Sequence, residues 1–302
     1  MEEMRKNPVL PGLFADPDLY WEDGVWYLYP TTDGFPGWSG HEFFVFTSRD
    51  GKRFEKAARV LDVASEEVPW ATGYAWAPCI AKRNGKYYFY FCAKDKNGVS
   101  CIGAASADSP TGPFTAQPEP LITMDLMAEC GIGMCQTIDP SIYREGEDAY
   151  LLFGNGAAAV VKLTEDMLHI EKGTLRNIWG LEDFRESVIA FKKDGVYHFT
   201  WSCDDTGSEN YHVNYGVADS LYGPVQYLYP VLEKRPEKGI FGTGHHSIAW
   251  IPAEERYVIA YHRFATPVED YPEGKGWHRE TCLGSVEFDE NGRMKPVDPA
   301  LP

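Results

Sequence analysis

Five stretches of the chain repeat one pattern, and one position of that pattern carries residues able to do acid–base chemistry. The stretches begin at Ala15 (ADPDLYWEDGVWYLYPT), Trp76 (WAPCIAKRNGKYYFYFC), Ile138 (IDPSIYREGEDAYLLFG), Arg185 (RESVIAFKKDGVYHFTW) and Gly244 (GHHSIAWIPAEERYVIAY). Aligned on Leu19, Ile80, Ile142, Ile189 and Ile248, the position three residues earlier holds Asp16, Ala77, Asp139, Glu186 and His245. Two Asp, one Glu and one His thus share one repeat position. A packed core has no need of them, because crowding like charges raises carboxylate pKa values and costs stability. A site that keeps one carboxyl protonated and another ionised does need them. Glycosidic bond hydrolysis is such a case: an acid protonates the leaving oxygen while a carboxylate base activates water on the opposite face. A third carboxylate near the acid can hold its pKa up.

Something must bring these residues together. Each stretch reads as a strand, a polar turn and an aromatic-rich strand, with more strand following, as in GHEFFVFTS and HVNYGVADS. Tyr27–Tyr29 with Phe43–Phe46, and Tyr87–Phe91 with Cys101–Ala105, read as hairpin strands. Asp23-Gly24, Asn84-Gly85, Asp194-Gly195 and Asn291-Gly292 are tight-turn signals. Helical periodicity is scarce: Leu121 to Met134 is a short helix or loop, and Glu165 to Ile170 one turn. Repeat starts near 15, 76, 138, 185 and 244, roughly 50 to 60 residues apart, suit four-stranded blades. The expectation is an all-β fold, a five-bladed β-propeller forming a single domain over residues 1–302. First strands line a propeller's channel, so the repeat starts converge on one mouth.

Composition narrows the partners. With 28 Lys+Arg against 45 Asp+Glu, the 302-residue chain carries a formal charge of −17. That disfavours nucleic acid and anionic membrane surfaces, both of which select basic faces. No apolar run is long enough to span a bilayer. The seven cysteines are scattered without a CxxC, which reads as free thiols in a reducing compartment. MEEMRKNPVLPGLF has no apolar signal-peptide region, so a cytoplasmic location is expected.

The motifs ADPD, WAP, IDPS, RES, and GTGHHS followed by YHR, in that order at blade spacing, resemble glycoside hydrolase family 43 from Asn7 to about Val297. The resemblance implies a five-bladed propeller enzyme that inverts configuration and cuts xylosides and arabinosides. It assigns Asp16 as general base, Asp139 as the carboxylate that tunes the acid and helps hold the sugar, and Glu186 as general acid. Ser187 stands where a glycine or alanine usually follows that Glu. The resemblance further implies that Arg263 contacts the sugar and the acid pair, that Trp76 belongs to the sugar pocket, and that His245 faces a hydrated Ca²⁺ on the channel axis; no organic cofactor is expected. The expected function is an exo-glycosidase releasing terminal β-D-xylose, with α-L-arabinofuranose as a second activity, from short oligosaccharides. Loops Asp33–His41, Tyr74–Trp76 and Leu121–Thr137 would set the choice of sugar, with Phe35, Trp38 and Trp76 forming a tight pocket. Three alternatives stand beside this: an arabinanase of the same family, a propeller that binds sugar without cutting it, and a related five-bladed clan acting on fructosides. ADPD and TIDPS differ from that clan's Asn-Asp-Pro-Asn and Arg-Asp-Pro, and the presence of all three acids disfavours mere binding.

Overall fold

A computed structural model of the chain describes residues 6–272 and 275–301, so the outermost bounds of the expected domain lie outside the described residues. Among the described residues, nineteen strands form five antiparallel sheets around an axis. Blade 1 holds β1 (Phe14–Glu22), β2 (Val25–Thr32), β3 (Glu42–Ser48) and β4 (Glu55–Asp62). Blade 2 holds β5 (Ala71–Arg83), β6 (Lys86–Asp95), β7 (Ser100–Ala107) and β8 (Thr115–Ala116). Blade 3 holds β9 (Ser141–Glu145), β10 (Asp148–Phe153), β11 (Ala158–Lys162) and β12 (Arg176–Ile178). Blade 4 holds β13 (Phe184–Lys193), β14 (Val196–Cys203), β15 (His212–Ala218) and β16 (Gln226–Leu232). Blade 5 has three strands among the described residues, β17 (Gly244–Ile251), β18 (Arg256–Phe264) and β19 (Arg279–Val286). The single-domain, five-bladed expectation matches this architecture.

Local sequence explains the hairpins. At Asp23-Gly24, Asn84-Gly85 and Asp194-Gly195 both residues have positive φ, from +49° to +83°. A two-residue hairpin turn of the favoured hand needs that conformation, which Asn, Asp and Gly adopt at least cost. The insertion between blades 2 and 3 contains the expected short helix, α1 (Met124–Glu129), capped by the Thr123 hydroxyl accepting from Leu126 N–H at 3.1 Å. The helical turn expected at Glu165 to Ile170 is instead a bend, closed by bridge pairing of Leu163 with Ile170. There the Thr164 and Asp166 side chains hold local backbone groups, a contest with helix that such residues often win.

The blades pack through apolar faces. Tyr29 and Phe43 of blade 1 meet Phe89 and Phe91 of blade 2 at ring separations of 5.3–6.0 Å. Comparable clusters fill the other interfaces. The ring is closed at blade 5 by the N-terminal segment: Val9 N–H donates to the Thr281 carbonyl, and the Asn7 side chain makes two bonds to the Leu283 backbone. Among the described residues, no helix is long and apolar enough to cross a membrane.

One irregularity recurs in the first strands and positions the site. Asp16, Ala77, Asp139, Ser187 and His245 all have positive φ, between +31° and +61°. In blades 1, 2, 4 and 5 this residue interrupts the register of the first strand against the second. Such a bulge frees an N–H from the ladder. The preceding blade takes it up: Ala77 N–H donates to Thr31 Oγ1 at 2.7 Å, Asp139 N–H to Cys92 Sγ at 3.1 Å and His245 N–H to Ser202 Oγ at 3.0 Å. Ser187 N–H is directed at the Asp139 carboxylate.

Candidate active site

A cavity of about 370 Å³ opens where the five first strands begin, and Asp16, Asp139, Glu186, His245 and Trp76 all line it. Four of the five repeat starts therefore deliver a titratable residue to one space, and blade 2 adds Lys94 from β6. The detail of the repeat register differs in blade 4. The positive-φ residue there is Ser187, and Ser187, with Asp16, Asp139 and His245, surrounds a narrow cavity beneath the first. Asp18, Ser141, Ile189 and Ser247, each two residues further on, line the same lower cavity. Glu186 is thus one residue earlier than Asp16 and Asp139 in the repeat, level with Trp76. Aligning Ile189 with Leu19 misplaces it, because the aliphatic position in blade 4 is filled by Ala190. The consequence is chemical: Asp16 and Asp139 sit at the channel, while Glu186 lines the wider cavity without reaching the channel.

Asp16 is built to stay ionised. Burial opposes its charge, but Arg279, His245 and His262 outweigh burial and hold its pKa well below the ordinary carboxylate range. Arg279 Nη1 donates to Asp16 Oδ1 at 2.9 Å, and its Nε donates to Asp33 Oδ2 at 2.8 Å. His262 Nδ1 lies 2.9 Å from Asp16 Oδ1 and 3.3 Å from Asp16 N. Either tautomer of His262 therefore holds Asp16, as donor to the carboxylate or as acceptor from the backbone N–H.

Glu186 and Asp139 are pushed the other way. Burial raises the pKa of Glu186, although Tyr211 O–H donates to its Oε1 at 2.8 Å. Asn155 Nδ2 donates to its Oε2 at 2.7 Å. Asp139 is raised well above its ordinary value by burial, then by the neighbouring charges of Glu186 and Asp16. Asp139 Oδ2 is buried without a hydrogen-bond partner, as suits an oxygen awaiting a proton or a substrate hydroxyl. The site thus holds one carboxylate kept charged beside two that share a tendency to keep a proton.

Arg263 is not brought to the site. On β18 side chains alternate, so His262 faces Asp16 and Arg263 faces away. There Arg263 Nε donates to Glu280 Oε1 at 2.7 Å, in a pair buried on both sides. The cavity arginine that reaches Asp16 is Arg279, on β19 opposite Phe264. Sequence reading missed it, with Asn155, Tyr211 and His262, because none lies at a repeat start. The one available signal was that GNG at 154–156 follows the second strand of blade 3, and YH at 261–262 lies near the end of the second strand of blade 5, the blades whose repeat starts carry Asp139 and His245.

Trp76 lines the cavity, but its ring is a wall already in use. Its Nε1 donates to the Trp38 carbonyl at 2.7 Å, Tyr74 meets it edge-on at 5.5 Å, and Lys94 Nζ lies 5.4 Å from its centroid. Trp38, from the 33–41 loop, also lines the cavity and donates through Nε1 to the Gly276 carbonyl at 2.6 Å. Phe35 is exposed and His41 pairs with Asp62 outside the cavity. Asp33 has its carboxylate fully buried against Arg279, so it acts beneath the floor rather than at the rim.

His245 Nδ1 lies 3.5 Å from both Asp16 Oδ1 and Asp139 Oδ2. Burial pulls its pKa down to about 4 against the pull of Asp16, leaving a neutral imidazole near neutral pH. No three His, Cys, Asp or Glu side chains among the described residues converge as a ligand set for a metal. The donors do fit a hydrated hard cation, with one imidazole nitrogen as protein ligand and carboxylates receiving hydrogen bonds from its waters.

Comparison with known proteins gives the family and supports the fold. The profile of glycosyl hydrolases family 43 matches residues 5–294. A β-D-galactofuranosidase of Aspergillus niger is 30% identical over 98% of this chain and 85% of its own. A xylosidase/arabinosidase of Bacteroides ovatus is 24% identical over 97% and 98%. The crystal structure of a GH43 enzyme from Xanthomonas citri complexed with xylotriose superposes with a TM-score of 0.78 at 25% identity, covering 97% of this chain and 93% of that one.

The two arginines separate by experiment. Arg279→Met is expected to lower kcat by about 10²–10³-fold, since Asp16 loses the cation that keeps it charged. Arg263→Met is expected to leave kcat of the folded protein within about threefold, yet to destabilise it by about 3–5 kcal/mol by stranding Glu280. Turnover of a glycoside and urea unfolding of both variants check this; a large kcat loss in Arg263→Met with unchanged stability would reverse the assignment.

Proposed function

We infer that this chain, which belongs to glycosyl hydrolase family 43, is an inverting exo-glycosidase that releases terminal β-D-xylose, and α-L-arabinofuranose as a second sugar, from short oligosaccharides. The observation that carries the reading is the split in ionisation within one cavity at the channel mouth: Asp16 is held charged while Glu186 and Asp139 are raised. That is the division of labour between base and acid that one-step glycoside hydrolysis requires. Relatives named xylosidase/arabinosidase support the choice of pentose. The cavity of about 370 Å³, walled by Trp38 and Trp76, suits one terminal sugar better than the middle of a polymer.

In this mechanism Asp16 takes a proton from a water on one face of the sugar as that water attacks the anomeric carbon. Protonated Glu186 gives its proton to the glycosidic oxygen as the bond to the leaving group breaks. Asn155 and Tyr211 fix the Glu186 carboxyl in place. Tyr211 also stacks on His262, which holds Asp16, so acid and base are positioned through one buried contact. Asp139 raises the pKa of Glu186 by repulsion when charged and borders the space the sugar would fill. We propose that His245 ligates a hydrated Ca²⁺, with Asp16 and Asp139 accepting hydrogen bonds from its waters. Bound there, the ion supplies positive charge that keeps Asp16 ionised.

Proton NMR of early turnover tests inversion: the first product anomer is expected to be opposite to that of the substrate, and a retained anomer contradicts the mechanism. Glu186→Gln is expected to lose about 10²–10⁴-fold on a nitrophenyl pentoside but much less on a dinitrophenyl pentoside, whose leaving group needs no proton. An equal loss on both would place the acid elsewhere. A panel of nitrophenyl xyloside, arabinofuranoside and galactofuranoside, with internally linked arabinan, tests the sugar. Turnover confined to arabinan would contradict the exo reading. Exhaustive chelation is expected to lower activity and added Ca²⁺ to restore it; no response to either would remove the ion from the mechanism.

A further inference from the structure

The wall of the cavity beside Glu186 carries two cationic donors that the mechanism above does not use. Lys94, near the end of β6, lines the cavity, and its Nζ lies 4.1 Å from the Tyr74 ring centroid and 5.4 Å from that of Trp76. No carboxylate among the described residues pairs with it. Arg185 lines the same cavity; its Nη2 donates to Asp205 at 3.2 Å, but its Nε is buried without a hydrogen bond, 3.8 Å from Glu186 Oε2. The two belong to one continuous wall. Lys94 pairs across the sheet with Ser100, whose hydroxyl donates to Gln136 Oε1 at 2.8 Å. Gln136 bridges to Asn155, and Asn155 donates to Glu186, the neighbour of Arg185.

The side of the cavity next to the proton donor is the side on which the leaving group must lie. In a chain of net charge −17, this wall combines an ammonium lacking a carboxylate with a guanidinium whose outer edge is held by Asp205, also at the cavity, through one 3.2 Å bond. We propose that Lys94 and Arg185 bind a carboxylate on the leaving sugar, so that the preferred substrate has its terminal pentose linked to a uronic acid residue. This rests on the exo-glycosidase reading of the same site. Charge-assisted bonds from a half-buried ammonium and a guanidinium are stronger than bonds to a hydroxyl. An anion placed there would also disfavour ionisation of Glu186 by simple repulsion, which keeps the proton on the acid until it is transferred.

The test compares two disaccharides, a pentose linked to glucuronic acid and the same pentose linked to glucose, with a nitrophenyl pentoside assayed alongside. The wild-type protein is expected to favour the uronate by about tenfold in kcat/KM, and the ratio is expected to fall toward one in about 0.5 M salt as the charges are screened. Lys94→Met should bring the ratio near one at low salt, and Lys94→Arg should keep most of it. The ratio is internal to each variant, so it reads charge recognition even where a substitution lowers overall activity. Equal kcat/KM on the two disaccharides in the wild type, with the nitrophenyl pentoside turned over, would overturn the proposal while leaving the exo-pentosidase reading intact. Failure to cleave any of the three substrates would instead overturn that reading.

Discussion

The structure depends on one backbone device repeated around the ring: a residue of positive φ near the start of each first strand, its N–H turned out of its own sheet. A buried N–H without a partner costs about as much as a lost hydrogen bond, so each must find an acceptor outside its own ladder. Thr31, Cys92 and Ser202 of the preceding blades provide three, and His262 of blade 5, which precedes blade 1 around the ring, provides a fourth for Asp16. The device thus ties neighbouring blades together at the axis. It also re-aims the side chain at that position, so that Asp16, Asp139 and His245 border both the upper and lower cavities. Left-handed backbone at non-glycine residues is strained, and here three of the five strained positions are the site residues Asp16, Asp139 and His245.

On that frame the electrostatics follow from placement. Burial alone would raise every carboxylate in the cavity. Asp16 escapes because Arg279, anchored by fully buried Asp33, reaches it from blade 5 and His262 supports it from the same blade. Glu186 and Asp139 have no cation of comparable closeness. Arg185 stands 3.8 Å from Glu186 and is drawn toward Asp205. Three similar acids thereby acquire different protonation states within a few side-chain lengths of one another.

The fold was legible because its signal is repeated: five strand–turn–strand units with Asn-Gly and Asp-Gly turns leave few architectures open. The acids were legible for the same reason, since they recur at or beside one repeat position. What the repeat could not carry was missed or misplaced. Ser187 rather than Glu186 takes the positive-φ position, because Ala190 replaces the branched aliphatic used to align the blade. The resemblance implies a sugar contact for Arg263 through the YHR motif, whereas Arg279 lies in no motif. Strand alternation sends the two halves of that motif to opposite faces, and a motif read as a string does not show this. Asn155, Tyr211 and Asp33 act through contacts distant in sequence, such as the 25 residues that separate Tyr211 from Glu186, and no spacing rule reaches them.

The central claim is that Asp16 stays charged while the Glu186–Asp139 pair retains a proton. A carbon-13 NMR titration of the Asp and Glu carboxyl groups, assigned through Asp16→Asn, Asp139→Asn and Glu186→Gln, tests it most directly. The Asp16 signal is expected to remain that of a carboxylate below pH 3.8, the ordinary Asp value. In the same samples a proton shared by the pair is expected to be lost only above pH 4.5, the ordinary Glu value. An Asp16 signal that titrates above that of the pair would contradict the assignment of base and acid.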